Sequence, residues 1–205
     1  MRSIKCYSSL LLAIFCLWGV PEARAQAFCA LRNPVLSIHR FFPESTGYHS
    51  VVRSITKETR ITVEKAIPFR LHFRELGKHT LYLVERKGEP IGLIHVRSET
   101  GEWGLVEIVW ALNPDLTIRD FRFQRCRDRH RKKLEAVAFK SQLTGKDIQE
   151  LMIFFNKDSS IPLTEVMNIP KVAENLAFTV LRSAIKTIQI TSTAWKNEIE
   201  QMQKQ

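Results

Sequence analysis

Between His79 and Arg125, clusters of turn-forming residues interrupt β-rich runs roughly every 8–12 residues, and that rhythm restricts the fold more than any other feature of the chain. Residues 80–85 read as a strand, Lys87-Gly88-Glu89-Pro90 as a turn, and residues 91–97 as a second strand. Residues 98–104 turn again, and 105–111 form a third strand. Asn113-Pro114-Asp115 turns once more, and 117–123 form a fourth strand. Connections this short reach only an antiparallel neighbour, because a parallel pairing needs a crossover of about a dozen residues or more. The run therefore predicts an antiparallel meander.

The flanks read as helical. Residues 34–42 carry a short helical pattern, and Pro43 to Gly47 make a turn. Val51, Val52, Ile55, Thr59, Val63 and Ala66 fall at helical spacing and predict one helix over 48–66, stopped by Pro68. Phe69-Arg70-Leu71-His72-Phe73 alternates apolar and polar as a half-buried strand does. After the meander, Leu134, Val137, Ala138 and Leu143 make a helical stripe ending at Gly145. Asp147 caps a short helix reaching Phe155, and 156–170 read as a loop. Val172, Leu176, Thr179, Val180, Ser183, Ala184 and Thr187 trace one face of a long helix from Lys171 to Trp195, and 196–205 read as a frayed polar tail. The fold class expected is α+β, an antiparallel meander of about four to six strands flanked by N-terminal and C-terminal helices. The chain divides into a leader (1–25), an extension (26–78), an α+β domain (79–195) and the tail (196–205).

The leader has the three parts of a secretory signal peptide: Arg2 and Lys5, an apolar run over 10–20, and Ala23-Arg24-Ala25 before the expected cut. The apolar run is too short to span a bilayer, which takes about 20 residues. The expectation is a periplasmic or secreted protein beginning at Gln26, with no integral membrane span. Cleavage removes three cations and one acid, leaving +8 of the chain's +10. A basic exported chain attracts anionic partners, namely acidic proteins, phosphate-bearing ligands or membrane surfaces. Nucleic acid is set aside, because export separates the chain from it. Cys29 and Cys126 then remain, and an oxidising compartment opens two readings, a single disulfide between them or two unpaired thiols.

Signatures of common chemistry are missing: no G-x-G-x-x-G, P-loop, H-E-x-x-H, G-x-S-x-G or C-x-x-C-H occurs, and the six histidines lack metal-ligand spacing. The strongest charge feature is the connector 125–133. Arg127, Arg129 and Arg131 in it suit bidentate phosphate binding or an acidic redox partner.

Element order and two stretches carry a family resemblance. Trp110-Ala-Leu-Asn-Pro-Asp-Leu-Thr-Ile-Arg-Asp-Phe-Arg-Phe123 resembles the strand–turn–strand of the FMN-binding domains in Rnf-type and sodium-pumping NADH:quinone reductase subunits. An aromatic helix with a Gly-Lys end follows in that family, as Ala138–Lys146 does here. The family's last helix then opens with Ser-Gly-Ala-Thr-x-Thr-Ser-x-Ala-Val, in which a threonine carries FMN through a phosphoester. The matching stretch is 176–185, where Thr179 falls on the flavin-bearing position and Ala184-Ile185 on the closing Ala-Val. Leu176, Ala177, Phe178, Leu181 and Arg182 depart from the motif, and glycine's close approach to phosphate is lost at Ala177.

The resemblance implies an FMN-binding electron relay rather than a catalyst with its own substrate. Its partner would be a redox protein, a membrane complex or a cytochrome. Thr179 and Ser183 would lie at the flavin, covalently linked at Thr179 or not. Arg127, Arg129 and Arg131 would neutralise phosphate, and Trp110, Trp103 or Tyr82 would stack on the ring. The alternative reading is a cofactor-free secreted module that binds an acidic partner through its basic face.

Overall fold

The computed structural model describes residues 29–155, 165 and 167–204. Its centre is a five-stranded antiparallel sheet in simple sequence order, β1 (Gly47–Ile55), β2 (Gly77–Arg86), β3 (Glu89–Gly101), β4 (Gly104–Leu112) and β5 (Ile118–Arg125). The four strands expected between His79 and Arg125 are β2 to β5, and the α+β class holds. The leader 1–25 and most of the 156–170 loop lie outside the described residues.

Both faces of the sheet are covered. Alternation along the strands sends Leu81, Leu83, Leu93, Ile108, Trp110 and Leu112 to one face, into the larger core. It sends Tyr82, Val84, Ile94, Val96, Val109 and Ala111 to the other, with Ile38, Phe41 and Phe42. Helix α1 (Pro34–Phe41) supplies that second cover. Asn33 caps it by accepting from Leu36 N at 3.2 Å, and Pro34 sits where no N–H is needed. Gly92 lets α1 approach: its φ is +157°, and a Cβ there would meet the Phe42 ring and the Leu112 carbonyl at 2.7 Å.

The larger core is closed by the last long helix. In chain order the remaining helices are α2 (Lys57–Ala66), α3 (Arg131–Leu134), α4 (Val137–Lys140), α5 (Ile148–Ile153), α6 (Glu174–Ala194) and α7 (Lys196–Gln203), with 3₁₀ turns at Phe73–Glu75 and Lys171–Ala173. Asp147 does cap α5, in a full capping box with Glu150. Thirteen residues of α6 are buried, among them Ser183, Lys186, Thr187 and Thr191.

Four local expectations are corrected. The helix expected over 48–66 is strand β1 followed by α2, capped by Thr56. Val51, Val52 and Ile55 are β-branched and add a fifth, edge strand to β2. Residues 69–73 are not a strand; they enter the 3₁₀ turn that presents Glu75 to the core. The stripe 134–143 is two single turns, α3 and α4, because Glu135 turns back to accept from Phe123 N at 3.0 Å. The tail is helix α7, held by buried Ile199 and Met202. Pairing of β1 with β2 also carries the sheet across the boundary drawn at residue 78.

Candidate functional site

Strand β3 turns three polar side chains, His95, Arg97 and Glu99, to the same face as Leu93, and α6 packs against that face. Arg97 is fully buried, and its Nη2 donates to Glu75 Oε1 at 2.6 Å. Lys186, one of α6's buried residues, bridges the carboxylates: its Nζ lies 3.0 and 3.1 Å from the two Glu75 oxygens and 3.3 Å from Glu99 Oε2. One helical turn earlier, Arg182 donates Nε to the same Glu99 oxygen at 3.1 Å and Nη2 to the Thr100 carbonyl at 3.0 Å. Glu75 also accepts from His72 N at 2.5 Å, which locks the 3₁₀ turn onto the cluster.

The two carboxylates titrate in opposite directions. Burial pushes Glu75 up, but Arg97 and then Lys186 overcome it and hold the carboxyl below the ordinary range. Burial and the neighbouring negative charge of Glu75 raise Glu99 instead, against Lys186, Arg97 and Arg182. Glu99 Oε1 and the Nε and Nη1 of Arg97 are buried without a hydrogen-bond partner.

Beside this cluster a histidine relay crosses from sheet to helix. His79 Nε2 lies 2.9 Å from the Glu75 carbonyl, His79 Nδ1 3.3 Å from His95 Nε2, and His95 Nδ1 2.9 Å from Thr191 Oγ1. The carbonyl only accepts, so the bonding assigns the proton to Nε2 of both rings, and Thr191 donates to His95. Burial and then Arg97 bring His79 down to about 3; burial, His79 and Arg97 take His95 well below its ordinary value. Both rings are neutral at physiological pH.

The cluster forms one wall of a cavity of about 420 Å³. Glu75, Glu99 and Lys186 lie at its buried end, Phe69, Leu105 and Phe178 at its sides, and exposed Arg70 and His72 with half-buried Arg182 along its rim. Phe69, Phe178 and Phe155 meet edge to face with centroids 5.0 to 6.3 Å apart, so the aromatic side is braced. Of the charged groups that line the cavity, Arg70, Arg182 and Lys186 outnumber Glu75 and Glu99 by one, so its lining is weakly cationic.

None of the residues given a flavin-binding role in the sequence lines this cavity, although Phe178 and Arg182, which depart from the motif, do. Trp110 and Ser183 are brought together, Nε1 donating to Oγ at 3.0 Å, but both are fully buried and satisfy each other inside the core. Trp110 therefore has no open face for a flavin ring. Thr179 is buried, and its hydroxyl donates to the Asn175 carbonyl at 3.0 Å, the ordinary behaviour of threonine inside a helix. Arg127, Arg129 and Arg131 are exposed on the connector; Arg129 donates to the His130 ring and Arg131 to the Cys126 carbonyl, each at 3.2 Å. Of the other rings, Trp103 is 60% exposed, and the Tyr82 hydroxyl accepts from Leu31 N at 3.1 Å. Cys29 and Cys126 are separate buried thiols, each raised by burial, and no Cys29–Cys126 disulfide is formed.

Sequence reading missed Glu75, Arg97, Glu99, Arg182 and Lys186. The available signal was a run of polar residues at every second position of an otherwise apolar strand, together with a lone lysine inside an apolar helix. Among the described residues, no helix is long and apolar enough to cross a membrane, and no His, Cys, Asp and Glu group is arranged to hold a metal. No protein-family model, no curated protein and no solved structure matches the chain.

Proposed function

We propose that this chain is an exported binding module that holds FMN noncovalently between the sheet and α6 and relays electrons between redox partners. The observation that carries the reading is the cavity of about 420 Å³, which joins an aromatic side to a surplus of cations. That volume lies within the range of pockets that enclose small ligands, roughly 300–1,000 Å³. Phe69 and Phe178 offer apolar surface to a ring system, and Arg70 and Arg182 offer charge-assisted donors to a phosphate. The flavin would supply the one- or two-electron chemistry, and the protein the binding and the electrostatics. Arg182 is already fixed by Glu99 and Thr100, so little side-chain freedom is lost on binding. The bonded, buried hydroxyl of Thr179 favours a noncovalent arrangement over a phosphoester at that residue.

Titration of the purified protein with FMN, followed by quenching of flavin fluorescence, tests the proposal. Arg182→Glu is expected to weaken binding tenfold or more, the effect of losing one charge-assisted contact of about 1.5–3 kcal/mol. Thr179→Ala, and charge reversal at Arg127, Arg129 and Arg131, are expected to leave binding unchanged. If wild-type protein does not bind FMN, the cofactor-free module with an acidic partner becomes the better reading. The solvent-facing connector is the observation that favours it.

A further inference from the structure

The connector that leaves β5 presents cations and withdraws its acids. Arg127, Arg129, Lys132 and Lys133 are exposed. Asp128 is 8% exposed and accepts from His130 N at 2.7 Å, while Glu135 accepts from Phe123 N. Both carboxylates are thus turned onto backbone, and the four exposed cations outnumber them. Helix α3 packs against the 3₁₀ turn Lys171–Ala173. That contact sets Val172, 63% exposed, beside the cations, and Val137, 81% exposed, follows α3 directly. None of these six residues lines the cavity.

We infer that this face docks on an anionic lipid surface. Each basic residue held near such a surface tightens binding about fivefold, and the attraction fades within about 8 Å at physiological salt. A short connector with exposed cations keeps several charges inside that range together. Val137 and Val172 decide between a bilayer and an acidic protein. Two exposed valines make no pocket or ridge for a shaped partner, but each can enter the headgroup boundary when the cations bring it there. A bilayer asks for no shape complementarity. This inference does not rest on FMN binding, since the face and the cavity share no residue.

Sedimentation of the full chain with vesicles tests it. The protein is expected to sediment with vesicles containing phosphatidylglycerol, to stay in the supernatant with pure phosphatidylcholine vesicles, and to be released by high salt. Reversing Arg127, Arg129, Lys132 and Lys133 to Glu is expected to lower partitioning a hundredfold or more, with the melting temperature and FMN titration unchanged. Val137→Asn with Val172→Asn, which leaves every cation in place, is expected to lower it several-fold. Equal binding to neutral and anionic vesicles, as an apolar leader alone would give, overturns the inference. So does anionic binding that survives the fourfold reversal, or failure to bind any vesicle. Capture of soluble polyglutamate without vesicle binding also overturns it, and assigns the face to an acidic protein.

Discussion

Lys186 Nζ touches both buried carboxylates of the cavity, so its removal would leave Glu75 and Glu99 facing each other with less compensation. Breaking a buried ion pair from one side costs about 3–5 kcal/mol. Lys186→Met is expected to lose stability in that range, read as a fall in the urea midpoint at constant slope. A loss below about 1 kcal/mol would mean that the charges are solvated. The Lys196–Glu200 pair at the surface gives the contrast, because exposed pairs contribute about 0–1 kcal/mol and Lys196→Ala should change little. At the other end of the helix contact, Ser183 accepts the indole N–H of Trp110. Ser183→Ala leaves that buried donor unpaired and is expected to cost about 1–3 kcal/mol, with FMN binding retained. A neutral result would show that the indole finds another acceptor.

The element that joins β2, β3 and α6 is the histidine relay, and its pH dependence has a definite sign. In the native chain burial, and for His79 next Arg97, lower His79 to about 3 and His95 well below its usual value. Unfolded histidine takes up its proton near pH 6.5. Between there and pH 3 the unfolded chain binds protons that the native rings refuse, so stability falls as the pH falls. The slope is about 1.4 kcal/mol per pH unit for each ring. Glu75, with its lowered pKa, adds a loss in the same direction below the ordinary carboxylate range, while raised Glu99 offsets part of the loss just above that range. Urea unfolding from pH 7.5 down to 5 should show a steadily falling midpoint, and a flat profile would mean that the relay is open to water. The same elements show what sequence could reveal. Strands β2 to β5 were legible because their turns are local, and α6 because its apolar period is long. Strand β1 was misread because its apolar positions fit helical spacing while its β-branched residues favour a strand. The cavity was hidden because Glu75 meets Arg97 from 22 residues away and Lys186 from 111, contacts that no spacing rule connects.

At the scale of the whole molecule, one sheet covered on both faces carries two kinds of surface. On the α6 side, a cationic cavity with an aromatic wall is set at the junction of β3, the 3₁₀ turn and α6. Beyond the end of β5, the connector exposes cations over residues whose carboxylates are already engaged. The two proposals stand apart: the cavity would hold the flavin, and the basic face would bring the chain to an anionic boundary. The most direct measurement is the visible absorbance of the protein purified from its own host, before and after denaturation and filtration. The account predicts a yellow native protein whose colour passes into the filtrate as FMN. Colour that stays with the denatured chain would contradict noncovalent binding, and a colourless protein that binds no added FMN would contradict the relay altogether.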